Sequence, residues 1–196
     1  MSDTMTPEQR HKIMSQVHSK NTGPERAVRH ALWHKGYRYR LNDKRLPGKP
    51  DLVLPKYRAV IFINGCFWHG HRGCPKYVEP KTNVSFWREK IAYNIARDEL
   101  NAQRLDTLSW TVITVWECEL SKKNLDATIA RIEADLRAAK DKYDKWTALR
   151  RESREYAREQ ARKHREILAQ VEAELNLPKS LRRYAKMAEQ ITEESI

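Results

Sequence analysis

The densest run of chemically active side chains is "LPGKPDLVLPKYRAVIFINGCFWHGHRGC", residues 46–74. Within it Cys66, His71 and Cys74 follow the spacing C-x4-H-x2-C, and Cys118, the third and last cysteine, closes a later apolar stretch. Thiolates and an imidazole in two groups that a fold brings together are the donor set of a zinc tetrahedron. Three ligands on one loop hold an ion at small cost in chain entropy, and the fourth would staple that loop to a sheet. The competing account makes Cys118 a buried core cysteine and leaves Cys66 and Cys74 incidental. A zinc with all four positions filled by protein would be structural, with no open position for chemistry.

Asp51 enters the same segment. A hairpin of Leu52–Leu54 and Arg58–Ile63, centred near Lys56, sets Asp51 opposite Ile61–Ile63. A hard cation such as Mg²⁺ needs one or two carboxylates and a backbone carbonyl, with water in its other positions. Asp51 and the Ile63 carbonyl could supply these, and His69 on the tethered loop could approach as general base. Phosphodiester cleavage needs those parts. Each residue also has an ordinary use: an aspartate after proline in a turn, Glu25 as partner of Thr22 in a capping box, His69 as an alternative zinc ligand to His71. Phe67 and Trp68 sit on a loop too short to bury both. With Trp87 and Met14 they form a candidate wedge for opening a duplex, at an unstacking cost of a few kcal/mol, although core packing is the plainer role for such a pair.

These groups belong to a strongly basic chain. Its 196 residues carry a formal charge of +12. Residues 1–140 hold 25 basic and 15 acidic side chains, and residues 141–196 hold 13 and 11. The excess charge lies with the Cys/His cluster, which favours a polyanion such as nucleic acid as partner there. No apolar stretch approaches the roughly 18–20 residues needed to cross a bilayer, and the first residues lack a signal peptide's apolar core. A soluble, intracellular, cytoplasmic protein without a membrane partner is the expectation, and in such a compartment three cysteines favour metal or burial over disulfides.

The elements that would position the site follow from spacing and punctuation. Thr6-Pro7 opens a short helix over 7–17, and "TGPE" opens a second that runs to about Lys35, with Gly36 as terminator. Tyr37–Leu41 reads as a strand, Leu52–Leu54 and Arg58–Ile63 as a hairpin whose second strand is buried on both faces. Residues 64–83 form a loop, 85–105 a helix on which Trp87, Ile91 and Ile95 recur, and 111–116 a further buried strand. Leu125, Ile129, Ile132, Leu136, Tyr143 and Trp146 form the stripe of a long packed helix. Residues 150–166 read as a solvated helix laced by pairs such as Arg151 with Glu155 and Glu159 with Lys163. Pro178 interrupts it, and 180–192 is a short amphipathic helix. This order predicts an α/β sandwich around a mixed sheet, with a domain over 1–140 and a helical C-terminal extension over 141–196.

The run "LPGKPDLVL", "YRAVIFINGCFWHGHRGC", "FWREKI" and "LSWTVITVWECEL" closely resembles the very-short-patch mismatch-repair endonucleases over roughly residues 5–135. That resemblance implies a restriction-endonuclease-like fold, a structural zinc, and nicking of double-stranded DNA beside the T of a T:G mismatch. It implies Asp51 as the Mg²⁺-binding carboxylate with the Ile63 carbonyl, His69 as the catalytic histidine and Glu25 as a supporting acid. Cys66, His71, Cys74 and Cys118 would hold the zinc, and Met14, Phe67, Trp68 and Trp87 would form the DNA wedge. The chain departs from the family pattern in three places. Ile63-Asn64 stands where a Thr-His pair is expected, Gly73 is an extra residue that a glycine can absorb, and the tail past about 140 has no counterpart. Three functions are therefore weighed: the mismatch-nicking endonuclease, a nicking nuclease of the same fold with another target, tied to defence or modification, and a non-catalytic DNA-binding protein in which Asn64 marks lost chemistry. In each, the C-terminal helices are free to bind a protein partner.

Overall fold

The computed structural model describes residues 8, 9 and 21–174. Their order is α1 (Gly23–His34), β1 (Arg40–Leu41), β2 (Leu52–Leu54), a 3-10 turn (Pro55–Tyr57), β3 (Ala59–Asn64), α2 (Val84–Thr107), β4 (Thr111–Trp116), a second 3-10 turn (Glu117–Leu120) and α3 (Leu125–Glu174). Met14 and the helices expected over 7–17 and 180–192 lie outside the described residues. α1 starts where the capping box places it: the Thr22 hydroxyl accepts from the Glu25 N–H, and the Glu25 carboxylate accepts from the Thr22 N–H. It ends before Gly36, whose φ of +86° suits a residue without Cβ. The strand expected over 37–41 is shorter, with Arg40 and Leu41 alone paired to β2. Residues 36–39 instead complete the exit from α1: the Tyr37 N–H returns to the Leu32 carbonyl, and the Tyr39 hydroxyl donates to the Arg29 carbonyl.

The sheet has the order β1-β2-β3-β4, antiparallel across its first two pairings and parallel between β3 and β4. Alternation divides its apolar residues between two cores. On one face Leu52, Leu54, Ala59, Ile61, Ile113 and Val115 pack with Val28 and Leu32 of α1 and Ile129, Ile132, Leu136 and Ala139 of α3. On the other, Val53 and Val60 meet Leu105 of α2 and Trp110. Helices on both faces explain why β2 and the first half of β3 read as unbroken apolar runs.

α3 is a single helix of 50 residues. The chain divides into two units at Tyr143 and Asp144. The apolar stripe stays buried to Ala139, but Trp146, expected to continue it, is 38% exposed and carries the Arg150 guanidinium over its ring. The second unit is held by pairs within its own turns, among them Arg151–Glu155 and Lys163–Glu159, and it exposes Leu149, Tyr156 and Ile167. Among the described residues no helix is long and apolar enough to cross a membrane.

Candidate active site and metal centre

Parallel pairing of β3 with β4 sets Asn64 beside Trp116. Two residues beyond each lie Cys66 and Cys118, so the register itself brings the distant cysteine to the loop. Ligand atoms of Cys66, His71, Cys74 and Cys118 all lie within 4.8 Å of one another, and all three cysteines are free. A zinc tetrahedron with sulfur at about 2.3 Å has edges of roughly 3.8 Å, so this donor set fits a closed, four-coordinate ion after small adjustments. His71 turns Nδ1 toward the Cys118 sulfur at 3.4 Å, and its ring stacks on Trp116 with centroids 4.2 Å apart. Burial pushes the Cys66 thiol up to about 12. A cation among the sulfurs removes that penalty, because the thiolate is the ligand.

At the other side of β3, the Ile63 N–H donates to Asp51 Oδ2 at 2.8 Å. Both polar groups of one strand residue face the same edge, so the Ile63 carbonyl also opens toward Asp51. Asp51 Oδ1 accepts no hydrogen bond from the described residues. Burial raises the Asp51 pKa, the Ile63 N–H opposes that, the Glu25 carboxylate raises it further, and Arg29 and His69 lower it. Asp51, Glu25 and His69, far apart in sequence, thus share one electrostatic neighbourhood. Glu25 is more than a cap: buried at the start of α1, it takes the Arg29 guanidinium and accepts from the Asn21 N–H at 3.1 Å.

Two residues outside the sequence expectations hold the histidine loop. His69 Nδ1 pairs with Asp98 Oδ2. A carboxylate is an acceptor, so Nδ1 carries the proton and a neutral ring keeps the Nε2 lone pair free. Burial works against the Asp98 charge, but the hydrogen bond and charge of His69 outweigh it and hold the carboxyl below its ordinary value, with Arg97 adding to the effect. Asn94, buried on α2, donates Nδ2 to the Trp68 carbonyl at 2.9 Å. Gly70 has a left-handed φ of +65° and lies close against α2: a Cβ there would meet Ile95 Cδ1 at 2.7 Å and Ile91 Cγ2 at 3.0 Å, so these side chains would have to shift. Ile91, Asn94, Ile95 and Asp98 recur at three- and four-residue spacing along one face of α2. Extending the apolar stripe already visible in Ile91 and Ile95 by one turn was the available signal for Asp98.

That face also carries the aromatic residues. Phe67, Trp68 and Trp87 touch edge to face with centroids 5.2–5.8 Å apart, Tyr77 stacks on Phe67, and Phe86 is 58% exposed beside Trp87. Phe67, Trp68 and Trp87 are each half-buried.

Comparison with known proteins places this arrangement. Residues 2–76 match the family model described as DNA mismatch endonuclease Vsr. The chain is 51% identical over 123 residues to the type II nicking enzyme V.NmeAIP of Neisseria meningitidis, covering 63% of this chain and 87% of that one. It is 49% identical over 132 residues to the type II nicking enzyme V.XorIIP of Xanthomonas oryzae pv. oryzae, covering 67% and 95%. With the DNA mismatch endonuclease Vsr of Escherichia coli K12 it shares 41% over 120 residues, 61% of this chain and 76% of the other. The protein is a DNA endonuclease, and hence a hydrolase, which sets aside the non-catalytic alternative. It belongs to the Vsr family.

Proposed function

We propose that the protein is a Mg²⁺-dependent endonuclease that nicks one strand of duplex DNA beside a T:G mismatch. The observation that carries this reading is the convergence of Asp51, the Ile63 carbonyl edge and an imidazole fixed by Asp98. Asp51 and the Ile63 carbonyl would hold the Mg²⁺: an oxygen-only donor pair, with one carboxylate oxygen that accepts no hydrogen bond from the described residues and a second acid nearby, suits a hard cation. When bound, the ion supplies positive charge that neutralises the phosphate. His69 takes a proton on Nε2 while Asp98 keeps the ring oriented and stabilises its charged form. Glu25 adds negative charge behind Asp51, and Arg29 keeps that carboxylate in place. Asn64, standing where the family resemblance expects histidine, leaves the base role to His69. Zinc, held by Cys66, His71, Cys74 and Cys118, secures the loop. Phe67, Trp68 and Trp87, with Met14, open the duplex.

In this reading residues 1–140 form the endonuclease domain with a restriction-endonuclease-like layout. Residues 141–196 form a helical extension whose exposed Leu149, Tyr156 and Ile167 suit a protein partner, and the enzyme works on DNA in the cytoplasm. A labelled duplex with one T:G mismatch, incubated with Mg²⁺, is nicked beside the T, and Asp51→Ala leaves it intact. A second reading keeps the chemistry and changes the target, because two relatives bear the name type II nicking enzyme. Equal nicking of matched, mismatched and methylated duplexes supports the second and overturns the first.

A further inference from the structure

The outer edge of β4 is left unused by the nuclease reading. Parallel pairing takes alternate residues of this strand: the Thr111 N–H donates to the Arg58 carbonyl at 2.9 Å, and Ile113 and Val115 face β3 in the same sense. Val112, Thr114 and Trp116 turn their polar groups the other way. Part of that edge is covered. The Trp116 N–H donates to Glu119 Oε2 at 2.8 Å, and the Thr114 carbonyl accepts from Arg131 Nη2 at 3.4 Å. Both polar groups of Val112 and the N–H of Thr114 meet no partner among the described residues. Along them runs a cavity of about 370 Å³, bounded by Thr111–Thr114 and by one face of α3 that includes Arg131, Asp135, Ala138 and Lys142.

We propose that this cleft binds an extended, acidic segment of a partner protein, which adds to the sheet as a strand beside β4. Uncovered strand edges recruit strands. Val112 offers an N–H and a carbonyl and Thr114 an N–H two residues on, all unpartnered among the described residues, and this donor and acceptor pattern is answered by another strand's backbone but not by phosphates, which only accept. The cleft is about 13 Å long, enough for four residues, and Ala138 keeps its wall low. Charge selects the segment. Arg131 is already shared by Glu119 at 3.0 Å and Asp135 at 3.2 Å. Lys142 has Asp106 at 3.8 Å and remains 73% exposed, so its ammonium is open to a carboxylate on the incoming strand. Asp106 lies just before β4 begins, which puts Lys142 at the Thr111 end.

The test uses the full-length, ¹⁵N-labelled protein and four probes: a decapeptide of alternating Glu and Val, the same peptide N-methylated at alternate amides, a Lys-for-Glu copy, and a decathymidylate strand. The acidic peptide should shift the Val112 and Thr114 amide signals and slow their hydrogen exchange at least tenfold. The N-methylated and Lys copies should bind at least tenfold more weakly. Val112→Pro removes the outward N–H without touching a bond to β3 and should abolish binding; Lys142→Glu, a surface change that leaves the strand alone, should weaken it about tenfold. Unmoved edge amides at millimolar acidic peptide, equal binding of the N-methylated copy, unchanged binding by Lys142→Glu, or decathymidylate occupying the same amides would each overturn the proposal.

Discussion

Replacing Asp51 by Asn should move stability and activity in opposite directions. The Asp51 carboxylate is held half-buried near Glu25, with its pKa raised. For an acid raised on folding, the stabilising contribution is fully present below the ordinary carboxyl range and is lost as pH rises through the folded value. At neutral pH the ionised group therefore costs stability. An amide oxygen can still accept from the Ile63 N–H, so the substitution removes charge while keeping the hydrogen bond. Relief of this kind contributes about 0.5–2 kcal/mol, and at 2–4 °C per kcal/mol for a chain this long the melting temperature should rise by roughly 1–8 °C. Thermal unfolding by circular dichroism at pH 7.5 without Mg²⁺ measures it. The gain should fade below about pH 4, where the wild-type carboxyl is neutral. Added Mg²⁺ should raise the wild-type melting temperature and leave Asp51→Asn unmoved, and the variant should not nick. A lower melting temperature for Asp51→Asn at pH 7.5, or equal stabilisation of both proteins by Mg²⁺, would refute the assignment of this carboxylate.

Asp98→Asn, which leaves the His69 ring less firmly oriented, should lower kcat by about 10²-fold or more with binding of mismatched duplex retained; unchanged single-turnover nicking would count against it. The depressed Asp98 pKa contributes stability that is present above the ordinary carboxyl range and lost as pH falls through the folded value, so the stability gap between wild type and Asp98→Asn should close at acid pH in a melting series. Gly70→Ala, combining a left-handed backbone with a Cβ against Ile95, should cost about 1–3 kcal/mol and lower activity; a wild-type melting curve would show that the loop does not rest on α2 as described. Purified Cys118→Ser should contain about one equivalent less zinc than the wild type, read by a chromogenic chelator after protein digestion, and give a lower soluble yield. Truncation after residue 149 should leave nicking of naked mismatched DNA within about twofold of the full chain.

The parts legible from sequence were those written in local spacing. The capping box of α1, the helix over 84–107 and the strand over 111–116 each announce themselves through neighbouring residues, and the two-sided burial of the first half of β3 through an unbroken apolar run, although Phe62 and Ile63, expected to be buried as well, are only half-buried. Cys118 could be paired with the Cys66 loop because both follow strands of the kind that lie side by side. What stayed hidden depends on contacts between elements. Tyr37–Tyr39 alternate like a strand, but the helix exit claims the Tyr37 N–H and the Tyr39 hydroxyl. Trp146 continues a helical stripe in sequence after the packed part of α3 has ended. Asp98 looks like any solvated helix acid until the 65–73 loop is laid on α2. Arg29 is likewise an ordinary helix cation on paper; it becomes a member of the site because α1 points its first turns at Asp51.

A single row of side chains on α2 touches both the aromatic blade, through Trp87 and the Asn94 link to Trp68, and the imidazole, through Asp98. In the proposed function, sensing the lesion and breaking the strand would thereby be geared to the same rigid rod. A change that tilts the rod by a few degrees should disturb both at once, so substitutions that retune target choice while sparing turnover should concentrate off this helix.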